Sequence, residues 1–197
     1  MLNLKQRKLF FILSFVMGIV VIVSNYLVQF PVNFYQLKNV LTYGAFSYPI
    51  TFLITDLANR AFGKKTARYV VLIGFFIGIV LTLFVSTNFK DIISVRIAIG
   101  SATAFIIAQN LDVNIFDVLR NKKWYVAPLT SSILGSIIDT FLFFSIAFYS
   151  TDIPWVTLAL GDLVVKLIVA LIMLIPFRLL ISKINDITDV KVKKFNY

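Results

Sequence analysis

The sequence contains no cysteine, no histidine and no glutamate; all nine acidic residues are aspartates. Zinc and haem sites lack their usual ligands here. Nucleophile pairs that depend on His or Cys cannot be built. The missing cysteines say little about redox compartment, because a membrane-embedded chain can dispense with disulfides anywhere. Charge is also sparse: 14% of the 197 residues are charged and 59% are hydrophobic. Mean hydropathy is +0.92. A soluble domain of this size has no core able to hide that much apolar surface.

What is present is a series of long apolar runs. Runs of about 20 residues match the ~30 Å hydrocarbon core of a bilayer at about 1.5 Å per residue. The shorter alternating segments of transmembrane strands are absent. The reading is therefore all-α: one polytopic domain over 1–197 with six spans, about 9–28, 40–61, 69–87, 92–110, 128–149 and 155–177. The first span is expected to stay in the protein, because Asn25-Tyr26-Leu27-Val28-Gln29 offers no small-x-small cleavage pattern.

The formal charge of +10 follows topology. Cations crowd the N-terminus (Lys5, Arg7, Lys8), the second-to-third connection (Arg60, Lys64, Lys65, Arg68), the fourth-to-fifth (Arg120, Lys122, Lys123) and the tail (Arg178, Lys183, Lys191, Lys193, Lys194). The other connections hold only Lys38 and Lys90. By the positive-inside rule both termini are expected in the cytoplasm. This alternation favours membrane topology over a nucleic-acid patch, so no nucleic-acid partner is expected.

Local features refine the spans. Tyr43-Gly44-Ala45-Phe46-Ser47-Tyr48-Pro49 is expected to be kinked or unwound, which is tolerated at membrane depth where the backbone is buried or lines a cavity. Leu111, Ile115, Val118 and Leu119 fit a short interfacial helix over about 111–121. Gly74 and Gly78 form a small-xxx-small face, which serves internal packing or a homodimer equally well. Trp124 and Trp155 fit interface belts.

Ionisable groups within a span are costly and mark function or pairing. Asp162 and Lys166 are four apart and can pair on one helix, as can Asp56 and Arg60, beside Asn59. These five are assigned gating or structural roles. Asp139 has no opposite charge at helical spacing and shares a face with Ser132 and Ser136, so Arg96 or a ligand is its expected partner. Gln109 and Asn110 carry carboxamides that could read a planar ligand or join helices. Tyr43, Phe46 and Tyr48 flank the irregular segment and are candidates for stacking on a ring.

These residues also carry a resemblance. The stretch from Tyr43-Gly44-Ala45-Phe46-Ser47-Tyr48-Pro49 through Thr55-Asp56-Leu57-Ala58-Asn59-Arg60 resembles the signature of the queuosine precursor transporter family, also called the vitamin uptake transporter family. Gln109-Asn110-Leu111-Asp112-Val113 and the block from Trp124 through Ile138-Asp139-Thr140-Phe141 are similar to that family too. The resemblance implies a carrier of the bacterial inner membrane for 7-cyano- or 7-aminomethyl-7-deazaguanine, or queuine, used in tRNA modification. It also implies similarity to the six-helix binding subunits of energy-coupling-factor importers. Those subunits often dock their partner through Ala-xxx-Ala on helix one. Ser14-Phe15-Val16-Met17-Gly18 lacks it, which favours stand-alone transport.

For such a ligand, one carboxylate could accept from both N1–H and the exocyclic amine. Asp139 is the first choice and Asp112 the second, with Gln109, Asn110 or Arg96 at the remaining polar positions. Phe46 or Tyr48 would sandwich the ring. Ser132 and Ser136 complete the polar stripe. The competing expectations are a binding subunit that needs a separate ATPase, and a membrane scaffold that transports nothing. An intramembrane aspartyl enzyme built on Asp56 and Asp139 is the weakest. The chain is expected to be no enzyme and to need no cofactor and no metal.

Overall fold

The computed structural model describes residues 3–34, 40–85 and 92–188. The Lys38 and Lys90 connections and the tail cations Lys191, Lys193 and Lys194 lie outside them. Among the described residues the fold is all-helical: α1 (Leu4–Leu27), α2 (Gly44–Ser47), α3 (Ile50–Phe62), α4 (Lys64–Val85), α5 (Ile92–Leu119), α6 (Val126–Phe148) and α7 (Trp155–Thr188). Within the described residues each apolar run overlaps one helix or, for 40–61, the pair α2 and α3; residues 86 and 87 of the third run lie outside the described ones, and α5 and α7 extend beyond their runs. Among the described residues four helices are long and apolar enough to cross a membrane: Leu4–Leu27, Ile92–Leu119, Val126–Phe148 and Trp155–Ile184.

Local chemistry explains the boundaries. Asn3 opens α1 with a capping box: its side chain accepts from the Gln6 N–H at 2.8 Å, and the Gln6 side chain accepts from the Asn3 N–H at 3.0 Å. The second apolar run is interrupted at Tyr48 and Pro49, between α2 and α3. Pro49 has no N–H to continue the ladder. Gly63, at φ +80°, turns α3 directly into α4, a backbone conformation that glycine adopts without penalty.

One expectation fails. The chain forms no separate interfacial helix at 111–121, because α5 continues unbroken to Leu119. Nothing between Ser101 and Leu119 breaks a helix, since the stretch has neither Gly nor Pro. Asp112, Val113 and Phe116 are buried in the bundle and do not ride on its surface.

The packing is inverted relative to a soluble protein. Phe11, Phe15, Phe76, Leu171 and Ile175 are exposed, whereas Asn59, Gln109, Asp112 and Thr140 are wholly buried. Such a surface needs an apolar solvent. α1 lies tightly along α4: a Cβ on Gly74 would collide with Met17, and one on Gly78 with Val21. The Gly74–Gly78 face is thus filled from within the chain and is not free for a second copy. At one end of the bundle the cations gather. Arg60 donates to the Arg120 carbonyl at 3.0 Å, Arg68 to Asn114 Oδ1 at 3.0 Å, and Arg178 sits 4.9 Å from the Trp124 ring.

Candidate functional site

At the other end, the break before α3 opens a cavity of about 330 Å³. Ser24 and Asn25 of α1, Tyr48, Ser101 of α5, Asp139 and Phe143 of α6, and Asp162 and Lys166 of α7 line it. Helical spacing explains the α7 pair: Asp162 and Lys166 share a face, one turn apart.

Its charged centre is a buried triad. Lys166 Nζ donates to Asp139 Oδ2 at 2.9 Å and lies 2.6 Å from Asp162 Oδ2. Thr140 ties the group together, accepting from Lys166 at 3.0 Å and donating to Asp162 Oδ2 at 2.9 Å. The ammonium also stands 4.9 Å from the centre of the Tyr48 ring. All four polar residues of this group are 3% exposed or less, so each charge depends on its neighbours. Asp139 Oδ1 and the Tyr48 hydroxyl form no well-aligned hydrogen bond among the described residues, although the two side chains lie within interaction range of each other. Both residues line the cavity, and a buried lone pair without a donor is a standing cost that a ligand can remove. On the α1–α5 wall, Ser101 Oγ donates to Asn25 Oδ1 at 2.6 Å.

The structure sorts the sequence candidates. Asp139 and Tyr48 line the cavity, as do Asp162 and Lys166, for which a gating or self-neutralising role was expected. The expected Asp139 partner, Arg96, is elsewhere. It donates to the carbonyls of Ile146 at 3.1 Å and Tyr149 at 2.6 Å, closing the exposed end of α6. The actual partner, Lys166, comes from another helix, which spacing along α6 could not reveal.

The remaining candidates lie away from the cavity. Gln109 is spent on helix joining, donating to Thr51 Oγ1 at 2.8 Å and accepting from Thr55. Asn110 donates to its own helix at Ile106. Tyr43 and Phe46 are exposed and do not face the cavity. Asp112 and Ser136 are fully buried outside it, with no hydrogen-bond partner among the described residues. Ser132 donates to Asp56 Oδ2 at 3.3 Å and Ser131 to Oδ1 at 3.1 Å, so Asp56 is served by α6. Asn59 Nδ2 donates to the Val113 carbonyl at 2.9 Å. Sequence reasoning missed Asn25, Ser24, Ser101 and Phe143. The available signal was Asn25, a carboxamide within an apolar span.

Fold and site together define a polytopic helical membrane protein with a polar cavity inside its bundle. Residues 42–181 match the family model described as "Putative vitamin uptake transporter". The chain belongs to that family. It is 33% identical, over 87% of its length and 86% of the relative's, to a "Probable queuosine precursor transporter" of Haemophilus influenzae. It is 30% identical to the "Queuosine precursor transporter" of Escherichia coli, over 94% of each chain. A Bacillus subtilis relative with a name like the first is 28% identical over 68% of each chain. No solved structure matches significantly. The family and its named relatives are transporters and not enzymes.

Proposed function

We propose that this protein carries queuosine precursors across the bacterial inner membrane, with a 7-deazaguanine bound in the cavity beside Asp139. The names of the relatives support the substrate class. The observation that carries the site is Asp139 itself: Oδ2 is held by Lys166, whereas Oδ1, beside the Tyr48 side chain, makes no well-aligned hydrogen bond and is left at the cavity. A carboxylate fixed through one oxygen presents the other in a set direction. The N1–H and exocyclic amine of the purine-like edge are donors suited to it. Tyr48 and Phe143 supply aromatic walls, and Asn25 a carboxamide for the ligand's carbonyl. With Asp139, Asp162 and Lys166 all ionised the cavity carries one net negative charge, which favours the cationic aminomethyl compound over the neutral cyano one.

In this reading the chain crosses the membrane six times with both termini in the cytoplasm, similar in plan to the binding subunits of energy-coupling-factor importers. The cavity then lies in the outer half of the bilayer. α1 contains no alanine for an Ala-xxx-Ala dock, which supports transport without an ATPase partner.

Calorimetry on the purified protein tests the site. The aminomethyl compound is expected to bind at micromolar strength or better, and guanine more weakly. Asp139→Asn should weaken binding at least tenfold, the loss of one charge-assisted hydrogen bond of about 1.5–3 kcal/mol. Binding left intact in that variant would remove Asp139 from the site. Failure of the aminomethyl and cyano compounds and of queuine to bind the native chain would remove the substrate class.

A further inference from the structure

A second polar cluster lies nearer the cation-rich end and takes no part in the cavity at Asp139. Asp56 of α3 is 2% exposed and accepts from Ser131 and Ser132 of α6. Asp112 of α5 lies alongside Asp56 and Ser131. It is wholly buried, and its oxygens make no well-aligned hydrogen bond among the described residues, since the neighbouring Ser131 hydroxyl is directed to Asp56 and the Pro128 carbonyl. Asn59 Oδ1, on the same helix as Asp56, is buried and unpartnered as well. A narrow pocket reaches Asp56 and Ser132 between Pro49, Phe52 and Phe177; Asp112 and Ser131 do not line it, and no residue lines both pockets.

The cluster holds more acceptors than donors: two serine hydroxyls face two carboxylates and the Asn59 carbonyl oxygen. Two ionised carboxylates packed together at membrane depth repel, and each is stripped of water; the effective penalty is several kcal/mol per ion. The charged groups on the surrounding helices are largely engaged. Arg60 and Arg120 donate to backbone carbonyls, Arg120 also pairs with Asp117, and Arg68 donates to Asn114. On α6 and α7, Asp139, Asp162 and Lys166 belong to the other cavity, and Arg178 lies over Trp124. Arg7 and Lys8 of α1 are exposed. What remains to complete the cluster is a small cation. The donors are all oxygen, which suits a hard ion. Among the described residues no group of three acidic or other metal-binding side chains forms, whereas divalent ions take six or more oxygens.

We propose that Asp56 and Asp112, with Ser131 and Ser132, bind a monovalent cation, a proton or Na+, and that this site couples cation movement to transport. Only the coupling rests on the transport reading; the cation site stands without it.

The test therefore begins without substrate. Infrared spectra of the purified chain in an ester-free detergent report protonated carboxyl groups directly. Thermal unfolding is followed in parallel as Na+ replaces K+, with Mg2+ as a third arm. A proton site shows a carboxylic-acid carbonyl band that shifts in D2O and vanishes in Asp112→Asn. A Na+ site shows saturable stabilisation by Na+ that is lost in the same variant. Neither signal in the native chain, or stabilisation by Mg2+ alone, overturns the proposal. Because both readouts are made on the native chain, a misfolded variant does not hide the answer.

The second stage uses proteoliposomes preloaded with the aminomethyl-deazaguanine for counterflow, and empty ones with the membrane potential clamped at zero for accumulation. Native protein should accumulate it about tenfold per pH unit, or per tenfold Na+ gradient, at one cation per substrate. Asp112→Asn should keep substrate counterflow and lose gradient-driven accumulation. Gradient-driven accumulation that survives in Asp112→Asn overturns the coupling. Absence of counterflow in the native chain would sink the transport reading while leaving the cation result standing.

Discussion

Lys166 serves two carboxylates at once, and its removal exposes how the triad is balanced. In Lys166→Met both Asp139 and Asp162 lose their counter-charge while remaining buried. The expected cost is about 3–5 kcal/mol, read as a large drop in thermal unfolding temperature in detergent. Adding Asp139→Asn and Asp162→Asn should recover much of it, because the uncompensated charge is then gone. A Lys166→Met protein as stable as the native one would show that the ammonium is not the counter-ion. Gln109 makes the opposite case. Its carboxamide joins α5 to Thr51 and Thr55 on α3. Gln109→Leu should cost about 1–3 kcal/mol of stability and leave ligand affinity within about twofold. A large loss of affinity with stability intact would return Gln109 to the ligand site. Both residues are conspicuous in the sequence as polar groups within apolar runs. Of their partners only Asp162, one turn away on the same helix, is legible by spacing; Asp139, Thr51 and Thr55 are not, because each lies on another helix.

Helices here are positioned by what they lack as much as by what they carry. Gly74 and Gly78 let α4 approach α1 until Met17 and Val21 fill the space a side chain would need. Gly74→Leu should therefore wedge the pair apart and destabilise by about 1–3 kcal/mol or more. Met17→Ala should partly rescue it by vacating the volume. If Gly74→Leu is neutral and promotes no aggregation, the close approach of α1 and α4 is wrong. The break at Pro49 works at the same scale, because ending α2 there places Tyr48 beside Lys166 and Asp139. Gly74, Gly78 and Pro49 can all be read from sequence. Which helix fills the glycine face, and which cavity the break opens, depend on how the helices are arranged. The α5 extension through 119 shows the limit of hydropathy: the polar residues Asn110, Asp112 and Asn114 look like a surface segment until the bundle buries or engages them.

For the whole molecule the proposed orientation is open to a clean test, because a chain without cysteine has no background labelling. In intact cells an impermeant maleimide should label Asp152→Cys in the connection between α6 and α7. It should reach Lys5→Cys and Lys122→Cys only after permeabilisation. Labelling of all three from outside, or of Lys5→Cys alone, would invert or break the six-span topology. The same orientation places the Asp139 cavity and the Asp56–Asp112 cluster in opposite halves of the bilayer, an arrangement suited to alternating access between a substrate site and a coupling site.

Composition and the spacing of apolar runs determined the all-helical class and the approximate helix limits, since these follow from what a bilayer demands of each segment by itself; the family was legible only through the motif blocks that resemble it. Most of the polar residues worth attention were also legible, Asn25, Ser24 and Ser101 excepted, because burying such groups in hydrocarbon is too costly to occur without purpose. Pairing was decided only by the tertiary structure. Lys166 joined Asp139, Arg96 closed the end of α6, Asp56 turned to Ser131 and Ser132, and Asn25 entered the cavity wall. A helix offers every side chain a direction. Which neighbour meets it depends on the rotation and register of another helix, and one-dimensional spacing carries no record of either.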